Sequence, residues 1–188
     1  MALKFSTATA NSLPFSQPSL YRSLISGLQY LAITRPDIAL AVNQACQHMQ
    51  CPTNAHFALV KRMLRYVKGT LAQGLFFTPG PFILTSYTDS NWAGDCLDRR
   101  STSGFCVFIG LNLISWYAKK QFTVSHSSTK AKYRSMAYTT AELCWLQQLL
   151  RDFSIPCSVP PVLWCDNISA MALASNPVFS LLVEAYRS

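Results

Sequence analysis

Two short segments of the chain each place an aspartate at the end of a run of strand-forming residues. They are YTDSNWAG at 87–94, which contains Asp89, and LWCDN at 163–167, which contains Asp166. Between them, SSTKAKY at 127–133 begins a long helical pattern. Phosphodiester hydrolysis by two Mg²⁺ ions needs carboxylates from neighbouring elements, because shared carboxylates hold the two ions about 4 Å apart. The helix offers Lys130 and Lys132 where such a site needs an acid.

The composition favours a globular protein with a polyanionic partner. Half of the residues are apolar and 13% are charged, which separates the chain from disordered proteins. Sixteen Lys and Arg residues face eight acidic residues, so the formal net charge is +8. An excess of this sign favours nucleic acid as the partner, and a basic protein with no polyanionic ligand is the alternative. No apolar run reaches the ~18 residues of a membrane span, so no membrane partner is expected.

The cysteines predict free thiols and a reducing compartment, such as the cytoplasm or the nucleus. They are odd in number and lie in apolar contexts, where buried thiols are expected rather than a disulfide framework: Cys46, Cys51, Cys96, Cys106, Cys144, Cys157 and Cys165. Residues 1–23 are rich in Ser and Thr and carry only Lys4 and Arg22 as charges. This is compatible with an organellar transit peptide and equally with a disordered leader.

The first part of the chain predicts a leader at 1–18 and a helical segment at 19–76. Apolar spacing predicts a helix from Leu20, a second from Pro36 and a third that is capped by Thr53 and ends at Gly69. The third helix is expected to bury Phe57, Val60, Leu64 and Val67. Its other positions are basic and form either a solvated face or a phosphate-contacting stripe: Lys61, Arg62, Arg65 and Lys68.

The second part of the chain, residues 77–179, is predicted to form a mixed α/β domain. Three strand patterns, at 82–87, 104–109 and 113–117, predict an antiparallel meander. A helix of roughly 25 residues follows, then a parallel strand at 162–165 and a short helix at 168–174. The long helix is expected to pack through a wide apolar stripe: Tyr133, Met136, Ala137, Thr140, Leu143, Cys144 and Leu150. Trp92 and Trp164, next to the two aspartates, are expected in the core, and base-stacking platforms for nucleic acid are the alternative.

Two further residue sets have the types of a metal or acid site. Cys46, His48, Cys51 and His56 are zinc-ligand types, but their spacing matches no standard zinc finger. We therefore expect ordinary packed thiols and histidines there. Asp95 and Asp98 lie in the loop after the first strand and are the nearest acids that a weak residual site could recruit.

Several motifs occur in the order in which they are found in one protein family. From Tyr21 to about Phe179 the chain resembles the C-terminal part of a copia-type retrotransposon Pol polyprotein. YRSLISG at 21–27, TRPDIALAVN at 34–43 and KRMLRYVKG at 61–69 resemble the end of its reverse transcriptase. DRRSTSG at 98–104, ISW at 114–116, AKKQ at 118–121 and LWCDNIS at 163–169 resemble its ribonuclease H domain.

The resemblance implies an RNase H-like fold and cleavage of the RNA strand of an RNA–DNA hybrid with Mg²⁺. It implies four acidic positions, of which the first falls on Asp89 and the third on Asp166. The second belongs to a family pattern SSTEAEY, and this chain carries Lys130 at its first glutamate. The fourth lies beyond NPVF at 176–179, where this chain continues as an unrelated tail, SLLVEAYRS at 180–188. The fold is therefore expected to be incomplete at its C-terminus.

The charges at the four acidic positions of the family determine whether this chain is expected to cleave RNA. Two Mg²⁺ ions carry four positive charges, and two surviving carboxylates with a lysine beside them do not balance that charge. We therefore expect weak or empty metal sites at Asp89 and Asp166 and no catalysis, with Lys130 replacing the glutamate. The alternatives are a non-catalytic module that binds RNA–DNA hybrid or RNA through the third helix, Lys130 and Lys132, and a weak residual ribonuclease H. No small-molecule substrate is implied.

Overall fold

The computed structural model describes residues 13–95, 98–157 and 159–176 of the chain. A division between Phe76 and Phe77 separates a helical unit from a mixed α/β unit. The expected leader falls mostly outside the described residues, and so does the tail at 180–188. The expectation of an incomplete C-terminal end also concerns residues outside the described part.

The helical unit consists of α1 (Pro18–Leu31), α2 (Pro36–Cys46) and α3 (Asn54–Gly69). The first two helices begin with proline, whose fixed φ suits the first helical position and whose missing N–H costs nothing there. Buried apolar side chains of all three helices form one core, and the Tyr21 hydroxyl donates a 2.8 Å hydrogen bond to the Ala45 carbonyl within it. The three helices therefore appear where the sequence predicts them.

The packed face of α3 differs from the expected one. His56, Val60 and Met63 are buried, whereas Phe57, Leu64 and Val67 are only half-buried. The cap explains the burial of His56: the Thr53 hydroxyl accepts from the His56 N–H at 3.3 Å, and His56 Nδ1 accepts from the Thr53 N–H at 3.1 Å. This reciprocal capping box turns the His56 side chain inward at the start of the helix.

The second unit contains one four-stranded sheet in the described residues. Its strands are β1 (Leu84–Asn91), β2 (Thr102–Ile109), β3 (Asn112–Lys120) and β4 (Val162–Cys165), in the order β3-β2-β1-β4. β1 to β3 pair antiparallel, and β4 pairs parallel to β1. Helix α4 (Ser128–Asp152) packs on β1 and β2, and α5 (Ile168–Ser175) follows β4. The predicted mixed α/β fold class is confirmed, and it is compatible with an RNase H-like fold.

The buried face of α4 is more polar than expected. It consists of Ala131, Ser135, Thr139, Leu143, Leu146 and Leu150. Of the predicted stripe, Leu143 and Leu150 are buried, while Thr140 and Cys144 are exposed. The expected stripe was based mainly on apolar residues. The buried face lies further around the helix, because it includes Ser135 and Thr139, whose hydroxyl groups form hydrogen bonds inside the unit.

The sheet face opposite α4 carries aromatic side chains. Cross-strand register aligns Trp116, Cys106, Tyr87 and Trp164 in one row over the four strands. Tyr87 is 54% exposed, Trp164 is 57% exposed and Trp92 is 43% exposed. The expectation that Trp92 and Trp164 belong to the core is therefore wrong. Trp92 nevertheless has a fixed position, because its indole N–H donates to the Ser125 carbonyl at 2.9 Å.

The described cysteines are free but not buried as expected. Cys51 and Cys144 are exposed, and the other four are half-buried: Cys46, Cys106, Cys157 and Cys165. Cys96 lies outside the described residues.

Among the helices of the described ranges, none combines the length and apolar character needed to cross a lipid bilayer.

Candidate functional site

The two sequence-predicted aspartates lie side by side at the carboxyl ends of neighbouring parallel strands. The β1–β4 register ends with Thr88 opposite Cys165, so Asp89 and Asp166 are the next residue along each strand. Both side chains are largely exposed, at 72% for Asp89 and 67% for Asp166. Parallel pairing of a central strand with an edge strand thus brings together two carboxylates that are 77 positions apart in the chain.

The ammonium group of Lys132 lies between these carboxylates. Its Nζ donates to the two oxygens of Asp166 at 2.6 and 2.7 Å and lies 3.0 Å from Oδ1 of Asp89. The Lys132 side chain is only 16% exposed. Hydrogen bonding to Asp166 and Asp89 raises the pKa of Lys132 despite its partial burial, and the bond from Lys132 lowers the pKa of Asp166. Both changes favour the charged forms, so the three side chains form an ionic cluster.

Lys130 has a different position from the one expected. Its side chain is exposed and forms no ion pair with Asp89 or Asp166, and its backbone N–H donates to the capping Ser127 hydroxyl at 3.2 Å. Side chains two positions apart on an α-helix differ by about 200° around the helix axis and so point in nearly opposite directions. Only one of the two lysines can therefore face the strand ends. The structure places Lys132, and not Lys130, between the aspartates.

Asp95 and Asp98 are engaged elsewhere. Lys120 Nζ lies 2.6 Å from Oδ2 of Asp95 and 2.8 Å from Oδ2 of Asp98, and Arg100 Nε lies 3.4 Å from Asp98. Partial burial raises the pKa of Asp98, but the hydrogen bonds from Lys120 and the Arg100 N–H outweigh this and hold it below its usual range. These acids therefore serve a loop–strand ion cluster of their own.

Buried hydrogen bonds fix the start of α4 against the strands. Gln121 is 3% exposed, and its side-chain amide donates to the Ser103 hydroxyl at 2.8 Å and to the Ala131 carbonyl at 3.0 Å. Its side-chain oxygen accepts from the Ser125 hydroxyl at 2.9 Å. Because Ala131 directly precedes Lys132, this network fixes the backbone that presents the lysine to the aspartates. The sequence drew attention to Gln121 only as the last residue of the AKKQ motif and assigned it no structural role.

The basic residues of α3 are exposed, as a binding stripe requires. Lys61, Arg65 and Lys68 have the i, i+4, i+7 spacing of one helix face, and Arg62 flanks them. Helix α3 contains no acidic residue, so nothing within the helix neutralises the stripe. The Lys61 ammonium also lies 4.9 Å from the centre of the Phe57 ring. The structure assigns no ligand to these residues.

Within the cysteine and histidine set, the two histidines are in contact with each other, and Cys51 is exposed. His48 and His56 stack with ring centroids 3.7 Å apart, and His56 Nδ1 is used by the α3 cap. Burial and the neighbouring His48 lower the pKa of His56 to about 4. Throughout the described ranges, no three His, Cys, Asp or Glu side chains converge closely enough to hold a metal ion.

The amino-acid sequence of the chain is similar to those of several known proteins. The chain is similar to the retrovirus-related Pol polyprotein from transposon RE2 of Arabidopsis thaliana, with 46% identity over 177 residues, or 94% of the chain. The equivalent protein from transposon RE1 is 47% identical over 165 residues, or 87% of the chain. The chain spans 12% and 11% of the length of these two relatives.

A shorter relative has no assigned activity. It is an uncharacterised mitochondrial protein of Arabidopsis thaliana, 51% identical over 146 residues, which are 77% of this chain and 60% of the relative. No protein-family model matches the chain. No solved structure matches it. The evidence for kinship is therefore the sequence identity to the Pol polyproteins.

Proposed function

The chain belongs to the retrovirus-related Pol polyproteins of copia-type retrotransposons, and from this premise we propose that its α/β unit is a ribonuclease H-like domain that no longer cleaves RNA. The transposon origin rests on the identity to the relatives. The loss of catalysis rests on the position of the Lys132 ammonium, 2.6 to 3.0 Å from oxygens of both aspartates.

Electrostatics explains why this ammonium would prevent metal binding. At ~5 Å and an effective dielectric constant of about 20, two unit charges interact by about 3 kcal/mol, and a divalent ion experiences twice that before screening by solvent. Millimolar Mg²⁺ affinity corresponds to only about 4 kcal/mol. A lysine held between the carboxylates therefore removes most or all of the free energy that would bind the ion.

The residues present do not fit a pair of Mg²⁺ ions. Asp89 and Asp166 supply two carboxylates, and Lys132 contributes a positive charge where a bridging acid would lie. We assign to Lys132 the replacement of the family's second acidic residue, which the sequence motif alone placed at Lys130. The residual-nuclease alternative has little support, because Lys120 already binds both Asp95 and Asp98.

A cleavage assay tests this proposal. We expect the full chain to leave a labelled RNA–DNA hybrid intact in the presence of Mg²⁺ or Mn²⁺, because the site cannot hold the ions. The control is the Asp89→Asn variant, which separates activity of this site from contaminating nuclease. Metal-dependent cleavage by the wild-type chain that Asp89→Asn abolishes would contradict the proposal.

A second candidate function is binding of RNA–DNA hybrid or RNA without cleavage. The exposed stripe of Lys61, Arg65 and Lys68 supports it, because three cations on one helix face match the phosphate backbone of a nucleic acid. Lys132 contributes little to such binding, since its ammonium is already paired with Asp166. Lys130 is exposed and keeps its charge available.

A gel-shift titration tests this second candidate. We expect the full chain to shift a hybrid duplex at low salt, and we expect Lys61→Ala together with Arg65→Ala to weaken binding roughly tenfold and flatten the salt dependence. The matched control is Lys119→Ala with Arg151→Ala, which removes two exposed charges from the other unit. No shift at low salt, or equal losses in both double variants, would exclude a role for the α3 stripe.

A further inference from the structure

Three buried hydroxyl groups connect α4 to the strand that carries Asp89. Thr139 Oγ1 lies 2.9 Å from Thr88 Oγ1, Thr88 Oγ1 lies 2.9 Å from Ser135 Oγ, and Ser135 Oγ lies 2.7 Å from the Asp89 carbonyl oxygen. Thr139 is fully buried, Ser135 is 1% exposed and Thr88 is 6% exposed. Such a chain of polar groups inside a protein stabilises it only when every member has a partner.

The direction of the protons in this chain follows from its last member. A carbonyl oxygen can only accept, so the Ser135 hydroxyl must donate to Asp89. Ser135 then accepts from Thr88, and Thr88 accepts from Thr139. Each hydroxyl has one proton, so the order Thr139, Thr88, Ser135, Asp89 satisfies all three contacts. Thr139 Oγ1 also lies 2.8 Å from the Ser135 carbonyl oxygen of its own helix, so the single Thr139 proton is shared between that carbonyl and Thr88.

Helix α4 therefore holds Asp89 at two points that are one helical turn apart. The Lys132 ammonium contacts the side-chain carboxylate, and the Ser135 hydroxyl binds the backbone carbonyl of the same residue. Lys132 lies three positions before Ser135 and is rotated from it by about 60° around the helix axis. Lys130 lies five positions before Ser135 and is rotated from it by about 140°. With Ser135 in contact with Asp89, Lys132 therefore lies on the helix side nearer the aspartates and Lys130 on the side away from them.

We propose that Ser135 is a positioning residue, whose hydrogen bond to the Asp89 backbone keeps the Lys132 ammonium between the two carboxylates. The proposal rests on the proposed function, because it concerns the group that closes the site to divalent ions. It assigns to Ser135 a role that packing alone does not require: an alanine fits the same space but cannot bind the Asp89 carbonyl.

Trace acetylation of the full chain at about pH 8 measures this role, because acetic anhydride reacts only with uncharged amines. Lys130 provides an internal reference, since it is exposed and lies on the same helix. In the wild type we expect Lys132 to react more slowly than Lys130. In Ser135→Ala we expect the Lys132 to Lys130 ratio, read by mass spectrometry, to rise roughly threefold or more, as the charge-assisted contacts loosen.

Matched variants separate positioning from stability. Thr139→Val removes a hydroxyl of the same chain that does not touch Asp89, so it is expected to lower the melting temperature without changing the ratio. Ser135→Thr keeps the donor and is expected to restore the wild-type ratio. If Ser135→Ala does not fold, Ser135→Cys replaces it, because a thiol keeps the volume but is a weaker donor.

The outcomes distinguish the two proposals. A folded Ser135→Ala variant with the wild-type ratio would overturn the positioning role alone. Equal changes in Ser135→Ala and Thr139→Val would also overturn it, since loss of stability would then explain both. Wild-type Lys132 that reacts as fast as Lys130 would instead contradict the ion cluster on which the proposed function depends.

Discussion

The Lys132 ammonium and the Asp166 carboxylate alter each other's affinity for protons. The hydrogen bond from Lys132 lowers the pKa of Asp166, and the bonds to Asp166 and Asp89 raise the pKa of Lys132. Because both carboxylates are about two-thirds exposed or more, water screens the cluster, and we expect it to contribute at most about 1 kcal/mol to stability. Its main consequence is electrostatic, since the Lys132 ammonium offsets half of the negative charge that the two carboxylates place at the strand ends.

Replacing Lys132 with Met tests the pairing. Loss of the ammonium removes the hydrogen bond that favours the Asp166 carboxylate, so the pKa of Asp166 should rise towards or above its usual value. Carbon-detected NMR titration of the carboxyl groups measures this change. Lys130→Met is the matched control and should leave Asp166 unchanged. A pKa of Asp166 that is the same in the wild type and in Lys132→Met would show that the pair does not form in solution.

The sequence predicted part of this site. Asp89 and Asp166 could be recognised because each ends a strand pattern, and parallel strands bring their ends together. The choice between Lys130 and Lys132 could not be made, because it depends on the rotation of α4. We attribute that rotation to the buried hydrogen bond from the Ser135 hydroxyl to the Asp89 carbonyl, which an apolar sequence pattern does not reveal.

At the scale of elements, local signals predicted where helices begin. Pro36 at the start of α2 and the Thr53 cap of α3 each fix a boundary by a known backbone rule, whereas α1 begins at Pro18, two residues before the Leu20 that apolar spacing indicated. Strand ends were less accurate: the first strand was expected at 82–87, whereas β1 spans Leu84–Asn91. The polar residues at 88–91 look like a loop, but they continue to pair with β2 through Thr102.

The α3 cap makes a prediction about pH. His56 has a pKa of about 4 in the folded chain, below its ordinary value of 6.5, because it is buried beside His48. Between these two values the unfolded chain binds more protons, so stability rises with pH across this window. We expect the free energy of unfolding to fall by up to roughly 3 kcal/mol between about pH 7 and pH 4 because of this residue.

Urea unfolding of the wild type and of His56→Gln at several pH values measures this contribution. Glutamine at this position can still accept from the Thr53 N–H, as in a standard capping box, but it does not titrate. The variant should therefore lose less stability between about pH 6.5 and 4 than the wild type. Identical pH profiles for the two proteins would contradict a buried, neutral His56.

At the scale of the whole molecule, charge is unevenly distributed between its two units. The helical unit carries an exposed basic stripe on α3, and the α/β unit carries two aspartates whose charge is partly offset by a lysine from the same unit. Under the proposed function, the first feature would favour nucleic acid, and the second would prevent the metal binding that cleavage requires. A chain that binds a hybrid and leaves it intact would follow from both features together.

Fold class at this scale was the most predictable property. The order of strand and helix patterns predicted the mixed sheet, because a meander, a long helix and one more strand have few ways to pair. The exposed aromatic row around Tyr87 and Trp164 was not predicted, because large apolar side chains are expected inside. Which face of a sheet is covered depends on contacts between distant elements, and residue types alone do not reveal them.

Calorimetric titration with Mn²⁺ measures whether Lys132 closes the aspartate site to divalent ions. For the full wild-type chain we predict no saturable binding that depends on Asp89, and for Lys132→Glu, which turns the cluster into three carboxylates, we predict measurable binding that Asp89→Asn removes. Stoichiometric Mn²⁺ binding by the wild-type chain, abolished by Asp89→Asn, would contradict the account.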